Sequence, residues 1–148
     1  MLRPEFIVFV GFPGAGKSTY AESFRQMGYA IHSPDAIKNQ YNLHSVKDLK
    51  TVYNMLNNNI MKDIQLRHNI VYDFTNLSVI RRKRILQLVA GTDYLRICYI
   101  FTTPLSVCKE RNRLRMGYSK VPDYGFAELE KVYKEPTKSE GWDIIRKV

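Results

Sequence analysis

Phe6-Ile-Val-Phe-Val10 runs directly into Gly11-Phe-Pro-Gly-Ala-Gly-Lys17-Ser18-Thr19. The first five residues are apolar and β-favouring with no polar alternation, the pattern of a strand covered on both faces, as in a parallel sheet. The residues that follow satisfy Gly-x-x-x-x-Gly-Lys-Ser/Thr at Gly11, Gly16, Lys17 and Ser18. Between a strand and a helix, this spacing marks a loop that wraps a chain of phosphates. Glycines allow turns that aim successive N–H groups at one anion. The helix that starts there adds the positive end of its dipole. Lys17 can reach the β- and γ-phosphates, and Ser18 can ligate Mg²⁺. The expected nucleotide-binding set is Gly11, Pro13, Gly14, Ala15, Gly16, Lys17, Ser18 and Thr19.

Outward from this loop, strand-like and helix-like stretches alternate. Ser18 to Met27 carries Tyr20, Ala21, Phe24 and Met27 at helical spacing, and Gly28 can end that helix. Tyr29-Ala-Ile31 reads as a short second strand. Ser33-Pro34 reads as an N-cap with proline at the first helical position, opening a helix to about Gln40. A longer helix is expected from about Ser45 to His68, with the polar Asn57-Asn58-Asn59 weakening its middle. Asn69 to Asp73 reads as a strand, Val79 to Val89 as a helix capped by Ser78, and Leu95 to Phe101 as a strand. A helix runs from Pro104 to about Leu114, a loop from Met116 to Val121, and another helix from Pro122. Trp142 to Ile145 is expected to be an edge strand. This order implies an α/β fold with a mostly parallel sheet of four to five strands, right-handed crossovers and helices on both faces. Ligands in such sheets lie beyond the carboxyl ends of the strands.

The 148 residues contain 23 Lys plus Arg against 14 Asp plus Glu, a formal charge of +9, which favours polyanionic partners. Hydrophobic residues make up 45%, enough for a packed core. Cys98 and Cys108 are too few for a disulfide scaffold and lack metal-site spacing, so a reduced, intracellular (cytoplasmic) protein is expected. No stretch is apolar for long enough to span a membrane, and no linker or repeat divides residues 1–148, so one domain is expected.

Phosphoryl transfer to a hydroxyl needs a proton acceptor, a metal site and positive charge over the moving group. Asp35, just after the second strand, is placed to be the general base, with helix-start capping as its alternative role. Lys38, one turn on, can hold an acceptor phosphate or pair with Asp35. Asp73 ends the third strand, where a Mg²⁺-holding acid is expected beside Ser18, and Asn76 can orient it or touch the acceptor. Arg111 and Arg115 are four apart and share a helix face if the helix continues. They are read as part of a basic lid around 111–121 that neutralises the transferring phosphoryl. Arg81-Arg-Lys-Arg84 reads either as a nucleic-acid-tracking surface or as a solvated helix face. His32 is a candidate acceptor-side donor. Tyr41, Tyr53, Tyr118 and Tyr124 are as suited to packing as to stacking on a base, and none is assigned.

Taken together, the phosphate loop, Ser33-Pro34-Asp35, Tyr72-Asp73-Phe74-Thr75-Asn76, Arg111-Asn112-Arg113-Leu114-Arg115 with Val121-Pro122, and Pro136-Thr137…Glu140-Gly141-Trp142 resemble the kinase domain of polynucleotide 5′-hydroxyl kinases. They are also similar to the related small bacterial and phage P-loop kinases. The resemblance covers nearly the whole chain. It implies a P-loop kinase-type three-layer α/β/α fold. It further implies ATP or GTP as donor with Mg²⁺, and a 5′-hydroxyl of RNA or DNA as acceptor, the chemistry of nucleic acid repair. By the same resemblance Asp35 is the general base, Lys17, Arg111 and Arg115 stabilise the moving charge, and Lys38 and Asn76 face the acceptor. Lys38 departs from the family's usual arginine. The rival expectations are a kinase for a small-molecule hydroxyl (nucleoside, sugar or related alcohol) and a nucleotide-dependent RNA-binding module without turnover.

Overall fold

The computed structural model describes residues 2–148. Five strands alternate with helices: β1 Glu5–Val10, α1 Lys17–Gln26, β2 Ala30–His32, α2 Pro34–Tyr41, α3 Leu49–Gln65, β3 Ile70–Tyr72, α4 Val79–Leu86, β4 Leu95–Ile100, α5 Leu105–Arg113, α6 Asp123–Val132 and β5 Ile144–Lys147. They form one sheet in the order β2-β3-β1-β4-β5. All four pairings are parallel, with Val8 opposite Tyr72 and Cys98, and Ile100 opposite Val10 and Lys147.

The apolar run of β1 explains the layers. Alternate side chains of a strand point to opposite faces. Phe6, Val8 and Val10 pack with Ile37 of α2, Val52, Leu56 and Ile60 of α3, and Ile85 of α4. Ile7 and Phe9 pack with Ala21 and Phe24 of α1 and with Tyr99. The result is a three-layer α/β/α fold in which β1 is wholly buried from Phe6 to Val10. Its carboxyl end delivers the phosphate loop to one edge of the sheet.

Local sequence shifts several boundaries. The chain enters α3 through a 3₁₀ turn, Val46–Asp48, tied by Ser45 to the Asp48 carboxylate. Asn57, Asn58 and Asn59 lie on the exposed face of α3, so the helix passes through them unbroken. The helix expected to reach Val89 leaves α geometry at Leu86 and finishes as a 3₁₀ turn. The edge strand starts at Ile144 rather than Trp142. Trp142 is instead buried in the core and donates its Nε1–H to Glu140.

That bond belongs to a buried ion pair that the basic run 81–84 conceals. Arg82 is fully buried. Its Nε and one terminal nitrogen donate to both Glu140 oxygens at 2.8 Å. The other terminal nitrogen donates to the carbonyls of Asn76 and Leu77. The reading of 81–84 as a wholly surface-facing basic run therefore fails at Arg82, which fastens α4 to the turn before β5. Burial alone would raise the Glu140 carboxyl, but hydrogen bonds from Arg82 and Trp142 outweigh it and hold the group below the usual range. Its stabilising contribution is present above the unfolded carboxylate pKa, about 4.3, and is lost as pH falls through the lower folded value. Removing one partner of a buried pair strands the other charge, at about 3–5 kcal/mol. Arg82→Met is therefore expected to lower the melting temperature by roughly ten degrees. Thermal denaturation followed by circular dichroism checks this, and an unchanged midpoint would contradict it.

Candidate active site

The phosphate loop is shaped by two glycines in left-handed geometry, Gly14 at φ 84° and Gly16 at φ 98°. A side chain at Gly14 would also strike the Cys108 carbonyl of α5, 2.7 Å from the position of its Cβ. Neighbouring strands brace the loop. The Gly11 N–H donates to the Thr75 carbonyl, and the Thr103 hydroxyl donates to the Ala15 carbonyl. Lys17 opens α1, is 8% exposed, and folds its ammonium back onto the Phe12 carbonyl at 2.8 Å. Burial lowers its pKa to about 8; Asp73 opposes the shift and Arg115 adds to it.

Asp73 lies just past β3 and is also nearly buried. The Ser18 hydroxyl donates to its Oδ2 at 3.2 Å. Burial pushes the Asp73 carboxyl up, while Lys17 and Ser18 pull it back without cancelling the rise. These adjacent hydroxyl and carboxylate oxygens suit a hard cation such as Mg²⁺, which binds through one or two carboxylates plus substrate phosphates. Among the described residues no group of three or more acidic, histidine or cysteine side chains is arranged so that it could hold a metal ion. A metal here would rest on Ser18, Asp73 and phosphate oxygens.

Across the loop, the Ser33 hydroxyl accepts from the Ala36 N–H and starts α2. Asp35 stands in the first turn, two-thirds exposed, 3.9 Å from the ammonium of Lys38. Asp35, Lys38, Lys17, Ser18, Asp73 and Arg115 line a single cavity of about 280 Å³. An adjoining recess of about 130 Å³ beside Asp35 and Lys38 is walled by His44 and Tyr118. These two rings stack face to face with centroids 3.7 Å apart. On the other side of the loop, an open cleft of about 600 Å³ runs past Gly14, Gly16, Thr19 and Tyr20 to Arg111 and Arg115.

Three expectations change. α5 ends at Arg113, so Arg111 and Arg115 do not share a helix face. The cause is Asn112, buried, whose side-chain amide makes two hydrogen bonds to the backbone of Val121 and draws the chain back on itself. Arg111 reaches the Gly14 carbonyl at 3.1 Å, and Arg115 bends over the cavity, bonded to the Ser119 carbonyl. Asn76 is fully buried beneath the site and donates to the Phe9 carbonyl, so it braces the loop and does not meet an acceptor. His32 is held by Asp63 at 2.6 Å and is not presented to the cavity. Asn112 falls inside a motif noted for its arginines, Tyr118 is one of the unassigned tyrosines, and nothing in the sequence marks His44. His44 and Tyr118 are brought together from positions 74 apart, and Asn112 acts through Val121 beyond the end of its helix.

The fold and the loop at the end of β1 define a P-loop protein with a kinase-type three-layer α/β/α architecture. The model of the AAA domain family matches residues 6–136. The chain belongs to that family. Among solved structures it is similar to a chain of the Pnkp1/Rnl/Hen1 complex, with a TM-score of 0.66 and 21% identity over 84% of this chain and 45% of that one. It thus spans less than half of that relative. A sugar kinase from Janibacter sp. HTCC2649 aligns over 97% of this chain and 85% of its own, with a TM-score of 0.68 and 16% identity. A gluconokinase from Sinorhizobium meliloti 1021 aligns over 99% and 83%, with a TM-score of 0.63 and 20% identity. At these identities the likeness is one of fold, and it is a kinase-type phosphotransferase fold. No helix among the described residues is long and apolar enough to cross a membrane.

Proposed function

We propose that the protein transfers the γ-phosphoryl group of ATP or GTP, with Mg²⁺, to the hydroxyl of a small polar alcohol such as a nucleoside or sugar. The observation that carries this reading is the shared cavity. The phosphate-binding side chains Lys17 and Ser18 and the reachable carboxylate of Asp35 line one space. The recess beside Asp35 is compact and walled in part by His44 and Tyr118, which favours a small acceptor. The full-length alignments to a sugar kinase and a gluconokinase favour the same acceptor class.

In this reading the triphosphate lies along the Gly11–Thr19 backbone, with its nucleoside in the open cleft beside Thr19 and Tyr20. Ser18 and Asp73 would hold Mg²⁺, which supplies charge neutralisation at the phosphates. Asp35 accepts the acceptor's hydroxyl proton as the oxygen attacks the γ-phosphorus. The bond from that phosphorus to the β–γ bridging oxygen breaks and the nucleoside diphosphate leaves, while Lys38 holds Asp35 in place by ion pairing. Lys17, Arg111 and Arg115 balance the charge on the transferring group. The lid residues Arg115, Tyr118 and Ser119 exclude water, which favours transfer over hydrolysis.

A second reading, a polynucleotide 5′-hydroxyl acceptor, is favoured by the +9 charge and by the fold likeness to a chain of the RNA repair complex. One experiment separates the two. Labelled γ-phosphate is offered with sugars, polyols, nucleosides and a 5′-hydroxyl oligonucleotide in parallel. Label on a small alcohol at low and high salt alike is expected. Label on the oligonucleotide alone, lost steeply with salt, would transfer the assignment to the second reading. No label on any hydroxyl would overturn both.

A further inference from the structure

A second cluster of cations lies outside the phosphate loop. Between α3 and α4 a groove of about 250 Å³ is lined by Tyr53, Asn57, Tyr72, Arg81 and Arg84 above the apolar Ile85. The Arg81 guanidinium is clamped over the Tyr53 ring, 4.2 Å from its centroid, and 5.2 Å from that of Phe74. Its Nε is buried and has no hydrogen-bond partner among the described residues. Among the described residues no carboxylate lines the groove. Two guanidiniums, two phenols and an amide therefore converge, rich in donors and without a counter-charge. A stacked guanidinium loses little freedom on binding and presents a planar fork to an oxyanion. Phe74 joins this groove to the site, because its ring packs against Arg81 while the residue also lines the cavity of Asp35 and Lys17.

We propose that this groove is an oxyanion subsite that holds a phosphate or carboxylate group carried by the acceptor, with Arg81 and Arg84 as its binding residues. The inference rests on the kinase reading above and narrows it: the acceptor is an anionic alcohol. A sugar phosphate, a sugar acid and a 5′-hydroxyl dinucleotide all present such a group, and they are separate arms of the test.

The direct measurement is titration of inorganic phosphate into protein already saturated with Mg²⁺ and a non-hydrolysable ATP analogue, followed through the arginine Nε–H resonances. With the phosphate loop filled, phosphate is expected to shift the Arg81 and Arg84 signals. Arg84→Gln, an exposed position that leaves the core intact, is expected to weaken that binding tenfold or more. Arg25→Gln, a surface control paired with Glu22, leaves it unchanged. In turnover, Arg84→Gln is expected to raise KM tenfold or more for anionic acceptors, with kcat within twofold and KM for neutral acceptors unmoved. Phosphate binding that ignores Arg84, or that is absent in the parent protein, would overturn the subsite even where phosphoryl transfer is established. Arg84-dependent phosphate binding in a protein that phosphorylates no hydroxyl would keep the anion site and overturn its assignment to an acceptor.

Discussion

Replacing Lys17 with methionine is expected to reduce phosphoryl transfer by about 10²–10³-fold or more while raising the melting temperature of the nucleotide-free protein. Both effects follow from where the ammonium is kept. It is nearly buried and, among the described residues, has only the Phe12 carbonyl as a hydrogen-bond partner, with Asp73 as a nearby counter-charge. Burial holds its pKa near 8, against 10.5 for the free side chain. Below pH 8 the group is charged in folded and unfolded chains alike, so the full cost of burying it is present. Between pH 8 and 10.5 the folded protein gives up the proton first, and stability rises with pH. Methionine keeps the stem and removes the charge. Asp73 then loses its nearest cation, which offsets part of the gain. A net increase on the order of 1–2 kcal/mol, or a few degrees, is expected by calorimetry. A triphosphate reverses the balance by supplying negative charge, so donor affinity is expected to be level up to about pH 8 and to fall above it. A methionine variant that is less stable than the parent would show that the ammonium is not held under strain.

The second large effect belongs to the lid. Arg115 borders both the cavity of Asp35 and the open cleft beside Thr19, so it lies over the line along which a phosphoryl group would pass. Arg115→Met is expected to lower kcat by about 10³-fold, the lower end for an arginine acting on a transferring phosphoryl. Donor Kd should change less than threefold, because the loop backbone and Lys17 do most of the holding. Arg115→Lys should recover only a small part of the loss, since an ammonium lacks the planar fork. The side chain is not in the core, so the melting temperature should not move. Rapid-quench measurement of the transfer step, beside equilibrium binding of the donor, separates these quantities. A variant that loses donor binding and kcat in equal measure would make Arg115 a binding residue for the ground state.

Much of this architecture was legible in the chain because its determinants are local. The apolar run of β1, the glycine spacing to Gly16, the Ser33-Pro34 helix start and the alternation of segments predict the layers and put Lys17, Ser18, Asp35 and Asp73 at one edge. The parts that were not legible depend on partners and backbone turns that lie outside the local pattern. Arg82 looks like its neighbours in a basic run, and only Glu140, 58 residues later, makes it a core residue. His32 is taken out of the site by Asp63, 31 residues away. The helical spacing of Arg111 and Arg115 fails because Asn112 bonds to Val121 and ends the helix between them. Asn76 follows a strand-end acid as expected, yet its left-handed backbone, φ 49°, turns the amide under the loop towards Phe9. Local pattern fixes where an element lies. Which side chain is buried depends on which distant group can satisfy its donors.

The proposed transfer depends on Asp35 sharing a site with the donor phosphates. The most direct measurement is single-turnover transfer of the γ-phosphoryl group, with donor and acceptor both saturating, in the parent protein and in Asp35→Asn. Loss of a general base predicts a transfer rate lower by about 10²–10⁴-fold, with donor Kd and melting temperature unchanged, since Asp35 is solvent-exposed and its ion pair with Lys38 is long, at 3.9 Å. Transfer at the parental rate in Asp35→Asn would contradict the account.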